Sequence, residues 1–104
     1  MAREDLVLKR VKKILDDNRV FFVRCNPQNG IGIPDIIACM DGFVGIEIKD
    51  DKNGSYGLTE AQKARGRAIV GNGGKFFIID KNNVDEFEQM VVDYAADRDA
   101  EKNS

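Results

Sequence analysis

Gly32-Ile33-Pro34-Asp35-Ile36-Ile37-Ala38-Cys39-Met40-Asp41-Gly42-Phe43-Val44-Gly45-Ile46-Glu47-Ile48-Lys49 is the stretch whose reading decides the fold. Two apolar, strand-like runs flank a turn, with Asp35 on the first run and Glu47 and Lys49 on the second. Side chains alternate between the faces of a strand. Glu47 and Lys49 therefore point one way, while Ile46 and Ile48 point the other way, into a core. Acids and a lysine beside a hydrophobic core are costly unless they meet a metal or each other. That cost marks the stretch as functional.

The turn fixes which side chains meet. A two-residue Asp41-Gly42 loop would pair Met40 with Phe43 and Ile36 with Glu47, so that Asp35 faces away from Glu47. A three-residue loop, Met40-Asp41-Gly42 with Gly42 left-handed, pairs Cys39 with Phe43 and sets Asp35 opposite Glu47. The three-residue form is expected; otherwise only a bulge could bring the two acids together.

Outward from this hairpin, residues 4–17 read as a helix. Leu8, Val11, Ile14 and Leu15 recur at helical spacing with Val7 beside them, opposite Lys9, Lys12, Lys13 and Asp16. Asn18 is a stop signal, and Val20–Cys25 is a β-rich run. Residues 26–32 are loop-like in composition, and Pro34 belongs at the entry of the next strand because it cannot donate to a ladder. Asp50–Leu58 is a polar, glycine-punctuated loop. Thr59-Glu60-Ala61-Gln62 then matches a capping box and opens a helix reaching about Val70, where Gly71-Asn72-Gly73-Gly74 ends it. Lys75–Asp80 is a fourth strand, apolar enough to be central or covered on both faces. A last helix spans about Val84–Ala96, with Phe87, Met90, Val91 and Tyr94 forming an apolar stripe that reads as core, with an interface as the alternative. The order α-β-β-β-α-β-α implies an α/β sandwich, with residues 1–96 as one domain and 97–104 as an acidic, flexible tail.

The chain has no histidine. That excludes Ser-His and Cys-His nucleophile pairs, the histidine zinc-hydrolase motifs, and nucleases with a histidine base. Carboxylates, lysine, backbone and a hard metal remain. Cys25 and Cys39 lack CxxC spacing and read as buried, reduced thiols. No apolar run approaches the roughly 20 residues of a membrane helix, and the N-terminus lacks a signal-peptide pattern. A cytoplasmic protein is expected. Charge is segregated: residues 1–80 hold 13 basic against 11 acidic side chains, residues 81–104 hold 3 against 7. Lys9, Arg10, Lys12, Lys13, Arg19 and Arg24 make the densest basic run, either a solvated helix face or a polyanion contact.

Gly32-Ile33-Pro34-Asp35, then Glu47-Ile48-Lys49, then Leu58-Thr59-Glu60-Ala61-Gln62 opening a helix, resembles the virus-type replication-repair nuclease (VRR-NUC) domain of the PD-(D/E)XK nuclease superfamily. The resemblance covers roughly residues 4–80, and standalone members look like compact phage proteins. It implies a restriction-endonuclease-like core with a mixed four-stranded sheet flanked by helices. It also implies a Mg²⁺- or Mn²⁺-dependent endonuclease acting on DNA, cytoplasmic in a bacterial host if phage-encoded. Asp35 and Glu47 would be metal ligands with the Ile48 carbonyl. Lys49 would orient or help deprotonate the attacking water. Glu4 on the first helix, with Asp5 as the fallback, would bind the metal directly or through water. Gln62 would hydrogen-bond the nucleophile or Lys49. Arg24 fits the family's basic first-strand position, and Lys9, Lys13, Ser55 and Tyr56 are further DNA-contact candidates.

Mg²⁺ keeps several waters in an octahedral shell of oxygens, so few carboxylates suffice. A chain of 104 residues offers one site and little DNA surface, which favours a symmetric homodimer presenting two sites. Two sites would suit a branched substrate, in the manner of a Holliday-junction resolvase. Other readings are a non-catalytic nucleic-acid-binding module of the same fold, or a flap or sequence-specific endonuclease.

Overall fold

The computed structural model describes residues 4–26, 32–49 and 58–102, with the backbone alone at 4 and 5. In chain order the elements are α1 (Glu4–Asp17), β1 (Phe22–Arg24), β2 (Ile36–Cys39), β3 (Phe43–Ile48), α2 (Glu60–Gly71), β4 (Lys75–Ile79) and α3 (Val84–Lys102). The result is an α/β fold. Its four-stranded sheet has the order β1-β2-β3-β4, antiparallel except for the parallel β3–β4 pair.

One sheet face carries the core. Ile36 and Ala38 of β2, Val44, Ile46 and Ile48 of β3, and Ile79 of β4 pack against Val7, Leu8, Val11, Ile14 and Leu15 of α1 and Val84, Phe87 and Val91 of α3. The alternation and the helical spacing read from the sequence are both realised there. Each of these side chains except Ala38, once fully buried, contributes on the order of 2 kcal/mol of transfer free energy. α1 stops in a Schellman cap: Val20 N–H reaches Leu15 O at 2.9 Å and Arg19 N–H reaches Asp16 O at 3.0 Å, with Arg19 at φ 57°. Val20 is thus consumed by the cap, and β1 shortens to three residues.

The hairpin takes the three-residue form. Cys39 pairs with Phe43 and Ile36 with Ile46, and within the turn Met40 N–H reaches Gly42 O at 3.0 Å. Gly42 has φ 113°, and Asp41 is left-handed as well at φ 55°, a conformation that aspartate tolerates better than most residues. Carrying the two registers one residue further sets Cys25 level with Asp35, and Asp35 level with Glu47.

Two expectations need correction, and one is decided between its alternatives. β4 lies at a sheet edge and is covered on both faces, not central. Its apolar run arises because both faces are covered: Phe76 lies under Gly66 of α2, and Phe77 meets Phe87 of α3 edge-on, centroids 6.1 Å apart. Residues 97–102 are helical rather than a flexible tail. Asp99 ties that turn to the α1 cap through Arg19 at 2.8 Å and is also paired with Arg98. Arg98, together with Arg19, holds the Asp99 carboxyl below its usual range. Cys39 is exposed, because it faces away from the core and α2 does not extend over it.

The basic run is partly answered from within. Arg10 of α1 pairs with Asp85 and Glu88 of α3, which raises its pKa further, and Lys13 pairs with Asp17. Acids of the C-terminal part thus meet cations of the N-terminal part. Among the described residues no helix is long and apolar enough to cross a membrane.

Candidate active site

Among the described residues, the second sheet face is not covered over β1 and β2, and is covered over β3 and β4 by α2. Close approach is possible because glycines face it. A Cβ on Gly45 would come within 2.9 Å of Ile69, and one on Gly66 within 2.8 Å of the Phe76 ring. Side chains on this face form rows across the strands: Phe21, Cys39 and Phe43; then Val23, Ile37, Gly45 and Phe76; then Cys25, Asp35, Glu47 and Ile78. The third row holds both acids.

Glu47 is 4% exposed, the one charged residue among the buried positions described. Its Oε2 accepts a hydrogen bond from Gln62 Nε2 at 2.7 Å and lies 3.6 Å from Lys49 Nζ. Lys49 Nζ in turn donates to Gln62 Oε1 at 3.1 Å, an oxygen that also accepts from Thr59 N–H at 2.9 Å. The Thr59 hydroxyl closes the capping box by accepting from Gln62 N–H. Gln62 therefore does both things its position offered: it caps α2 and joins Glu47 to Lys49. Both ends of its amide are engaged, so its orientation is set by the network. A buried carboxylate is tolerated only when paired and hydrogen-bonded, and this one is.

Asp35 reaches the same place from β2. Its Oδ2 accepts from the backbone N–H of Ile48 at 2.7 Å, the residue between Glu47 and Lys49. Cys25 N–H donates to Asp35 O at 2.8 Å, which anchors this end of the hairpin to β1. Gly32 takes φ +81°, and a Cβ there would lie 2.6 Å from the Ala61 carbonyl oxygen. The Gly32-to-Asp35 segment thus threads tightly past the first turn of α2, which places Asp35 and Gln62 on the same side of the sheet.

The donors suit a hard cation. Two carboxylates on neighbouring strands, with the Ile48 carbonyl between Glu47 and Lys49, are the oxygen ligands that Mg²⁺ or Mn²⁺ favours. Among the described residues no group of three or more acidic or cysteine side chains converges. They would thus supply two carboxylates, and water would complete the shell.

The remaining candidates are scattered. The side chain of Glu4, like that of Asp5, lies outside the described residues, as do Ser55 and Tyr56. Lys9 and Lys13 are exposed on α1, which packs against the core face, so the sheet separates them from Glu47 and Lys49. Arg24 is level with Ile36 and by strand alternation also turns to the α1 side. The structure does not bring these three to the carboxylates. Lys63, Arg65 and Arg67 instead stand exposed on α2, directly after Gln62. Their clustering on the helix that carries Gln62 was the available signal.

Burial pushes the Cys25 thiol above its ordinary pKa; Asp35 adds to the shift and Arg24 opposes it. Since the thiolate is the reactive form, iodoacetamide at pH 8 is expected to label Cys39 about tenfold faster than Cys25. The two rates should converge after denaturation. Peptide mass spectrometry over a labelling time course measures both, and equal native rates would contradict the burial of Cys25.

Compared with protein-family models, curated proteins and solved structures, the chain has no match in any of the three.

Proposed function

We propose that the protein is a metal-dependent DNA endonuclease with a VRR-NUC-like site on a PD-(D/E)XK-type core. One observation carries the reading. A buried carboxylate, Glu47, is held by a lysine two residues on and by a helix-capping glutamine, with Asp35 level with it on the adjacent strand. A carboxylate, lysine and amide fixed together beside a second carboxylate are the groups that phosphodiester hydrolysis uses.

Asp35, Glu47 and the Ile48 carbonyl would hold Mg²⁺ or Mn²⁺, which when bound lowers the pKa of a water and neutralises charge on the phosphate. Lys49 orients the attacking water and offsets negative charge developing on the phosphate. Gln62 keeps Lys49 and Glu47 in register. Glu4 is proposed as a further acid from α1. A cytoplasmic homodimer acting on branched, Holliday-junction-like DNA completes the proposal; that step rests on resemblance to the family.

A second reading, a non-catalytic nucleic-acid-binding module, is favoured by the structural work of two residues: Asp35 receives the Ile48 N–H and Gln62 caps α2. Labelled four-way junction, flap and linear duplex DNA with Mg²⁺ or Mn²⁺ separate the readings. Wild type is expected to cut the junction, and Lys49→Ala or Glu47→Ala to lower the rate roughly 100-fold or more. Cutting only flap or duplex would retain the nuclease and remove the junction preference. Folded wild type that binds DNA without cutting would establish the binding module.

A further inference from the structure

We infer that the exposed sheet surface beside α2 binds an unpaired DNA strand, with bases resting on Phe21, Phe43 and Ile37 and the backbone against Arg65 of α2. This rests on the nuclease reading, and it specifies how substrate reaches that site.

The first observation is apolar. On the face that holds Asp35 and Glu47, none of the described helices lies over β1 and β2. Phe21 is 73% exposed, Val23 50% and Phe43 46%. Phe21 and Phe43 flank Cys39 in one row, and Val23 and Ile37 stand in the next. Between this surface and α2 runs a groove of about 340 Å³ lined by Ile33, Pro34, Ile37, Phe43, Ile69 and Arg65, among others, a size that suits small ligand groups. The groove neighbours the site along the chain: Pro34 precedes Asp35, and Phe43 lies four residues before Glu47 on the same strand, about 13 Å away.

The second observation is charge, which divides by sheet face. α2 bears Lys63, Arg65 and Arg67 against Glu60 alone. α1 and α3, on the opposite face, together bear eleven acids against Lys9, Arg10, Lys12, Lys13, Arg98 and Lys102. A polyanion is therefore drawn to the α2 face and repelled from the other. Arg65 stands at the rim of the apolar groove, and Lys63 and Arg67 border a second groove along the β4 flank of α2. Exposed aromatics on a sheet bordered by cations stack unpaired bases, whereas the stacked bases of a duplex do not present their faces. A strand laid along β1 and β2, clear of α2, would pass from Phe21 and Cys39 over Val23 and Ile37 toward Asp35.

The test measures binding without catalysis. Wild type in EDTA is titrated against a fluorescein-labelled single-stranded 20-mer and a blunt hairpin duplex of the same length, read by anisotropy. Single-stranded DNA is expected to bind about tenfold tighter. Phe43→Ala and Arg65→Glu are each expected to weaken that binding roughly tenfold, while Lys102→Ala leaves it unchanged. Circular dichroism confirms that the variants fold. Equal affinity for the two DNAs, or wild-type binding by both folded variants, overturns the inference. So does a wild-type dimer in sedimentation velocity that Phe43→Ala dissociates while single-strand affinity is unchanged; the occupant is then a second copy of the chain. Cleavage on adding Mg²⁺ is scored separately. Cutting without groove dependence of binding removes this inference alone. Groove-dependent binding without cutting removes the nuclease and leaves the strand-binding surface standing.

Discussion

Lys49→Met is expected to lower folding stability by about 2 to 3 kcal/mol, and Glu47→Met added to it is expected to restore most of that loss. Both variants should be inactive. The Lys49 and Glu47 side chains are only 14% and 5% exposed, so solvent screens their attraction weakly. Removing one partner of a buried pair leaves an uncompensated charge, typically at a cost of about 3 to 5 kcal/mol. The lower figure applies here because Gln62 Nε2 still donates to Glu47. Replacing the acid as well removes the charge that needed solvation, and apolar replacements of buried ion pairs are often neutral or stabilising. The measurement is a double-mutant cycle from urea unfolding. A cation retained only for structure would be needed for folding even without its acid. A pair retained for chemistry can be replaced together without loss of stability while activity disappears. If the double variant is no more stable than Lys49→Met, the Glu47 carboxylate is itself needed for folding, and the pair is not one kept for chemistry at the expense of stability.

The parts of this site legible in the sequence are those set by local rules. The level of Asp35 with Glu47 followed from counting the residues of one turn. The place of Gln62 followed from the capping box. Both depend on contacts within a few residues, where pattern and geometry are tied. What was not legible depends on which faces pack together. The apolar run Phe76–Ile79 reports that both faces of β4 are covered, and an edge strand between α2 and α3 satisfies that as well as a central one. Asp97–Lys102 reads as a tail by composition, yet Arg19, seventy-nine residues from Arg98, lends its carbonyl oxygen to that side chain and its guanidinium to Asp99. The basic run of α1 is conspicuous as a sequence, but Arg10 is turned toward the acids of α3. The sparser cations of α2 are the ones on the face with the carboxylates. Charge density along the chain and charge density on a surface are different quantities. Only the arrangement of helices about the sheet converts one into the other.

Gly32→Ala is expected to cost about 3 kcal/mol and to impair the site together with the fold. Backbone strain and steric contact both contribute. At φ +81° a Cβ is strained, costing on the order of 1 kcal/mol. Contact costs more: the new Cβ would sit 2.6 Å from the Ala61 carbonyl oxygen and 2.7 Å from its carbonyl carbon. Those atoms belong to a helix backbone and cannot rotate aside, so overpacking of this kind costs about 1 to 3 kcal/mol in addition. Gly73 provides the control. It has φ +92° but nothing within 4 Å of its would-be Cβ, so Gly73→Ala should show the backbone strain alone, about 1 kcal/mol. The difference between the two substitutions, measured by urea unfolding, isolates the approach of the Gly32-to-Asp35 segment to α2. That approach is what carries Asp35 toward Gln62. Relief of the clash must move either the strand entry or the first turn of α2, and either movement disturbs the network joining Gln62, Lys49 and Glu47. Gly32→Ala should thus lower activity even where enough denaturant-free protein remains folded, while Gly73→Ala should leave it unchanged. Equal costs at the two glycines would mean that the strand entry is not pressed against α2, and that Asp35 is positioned by the hairpin alone.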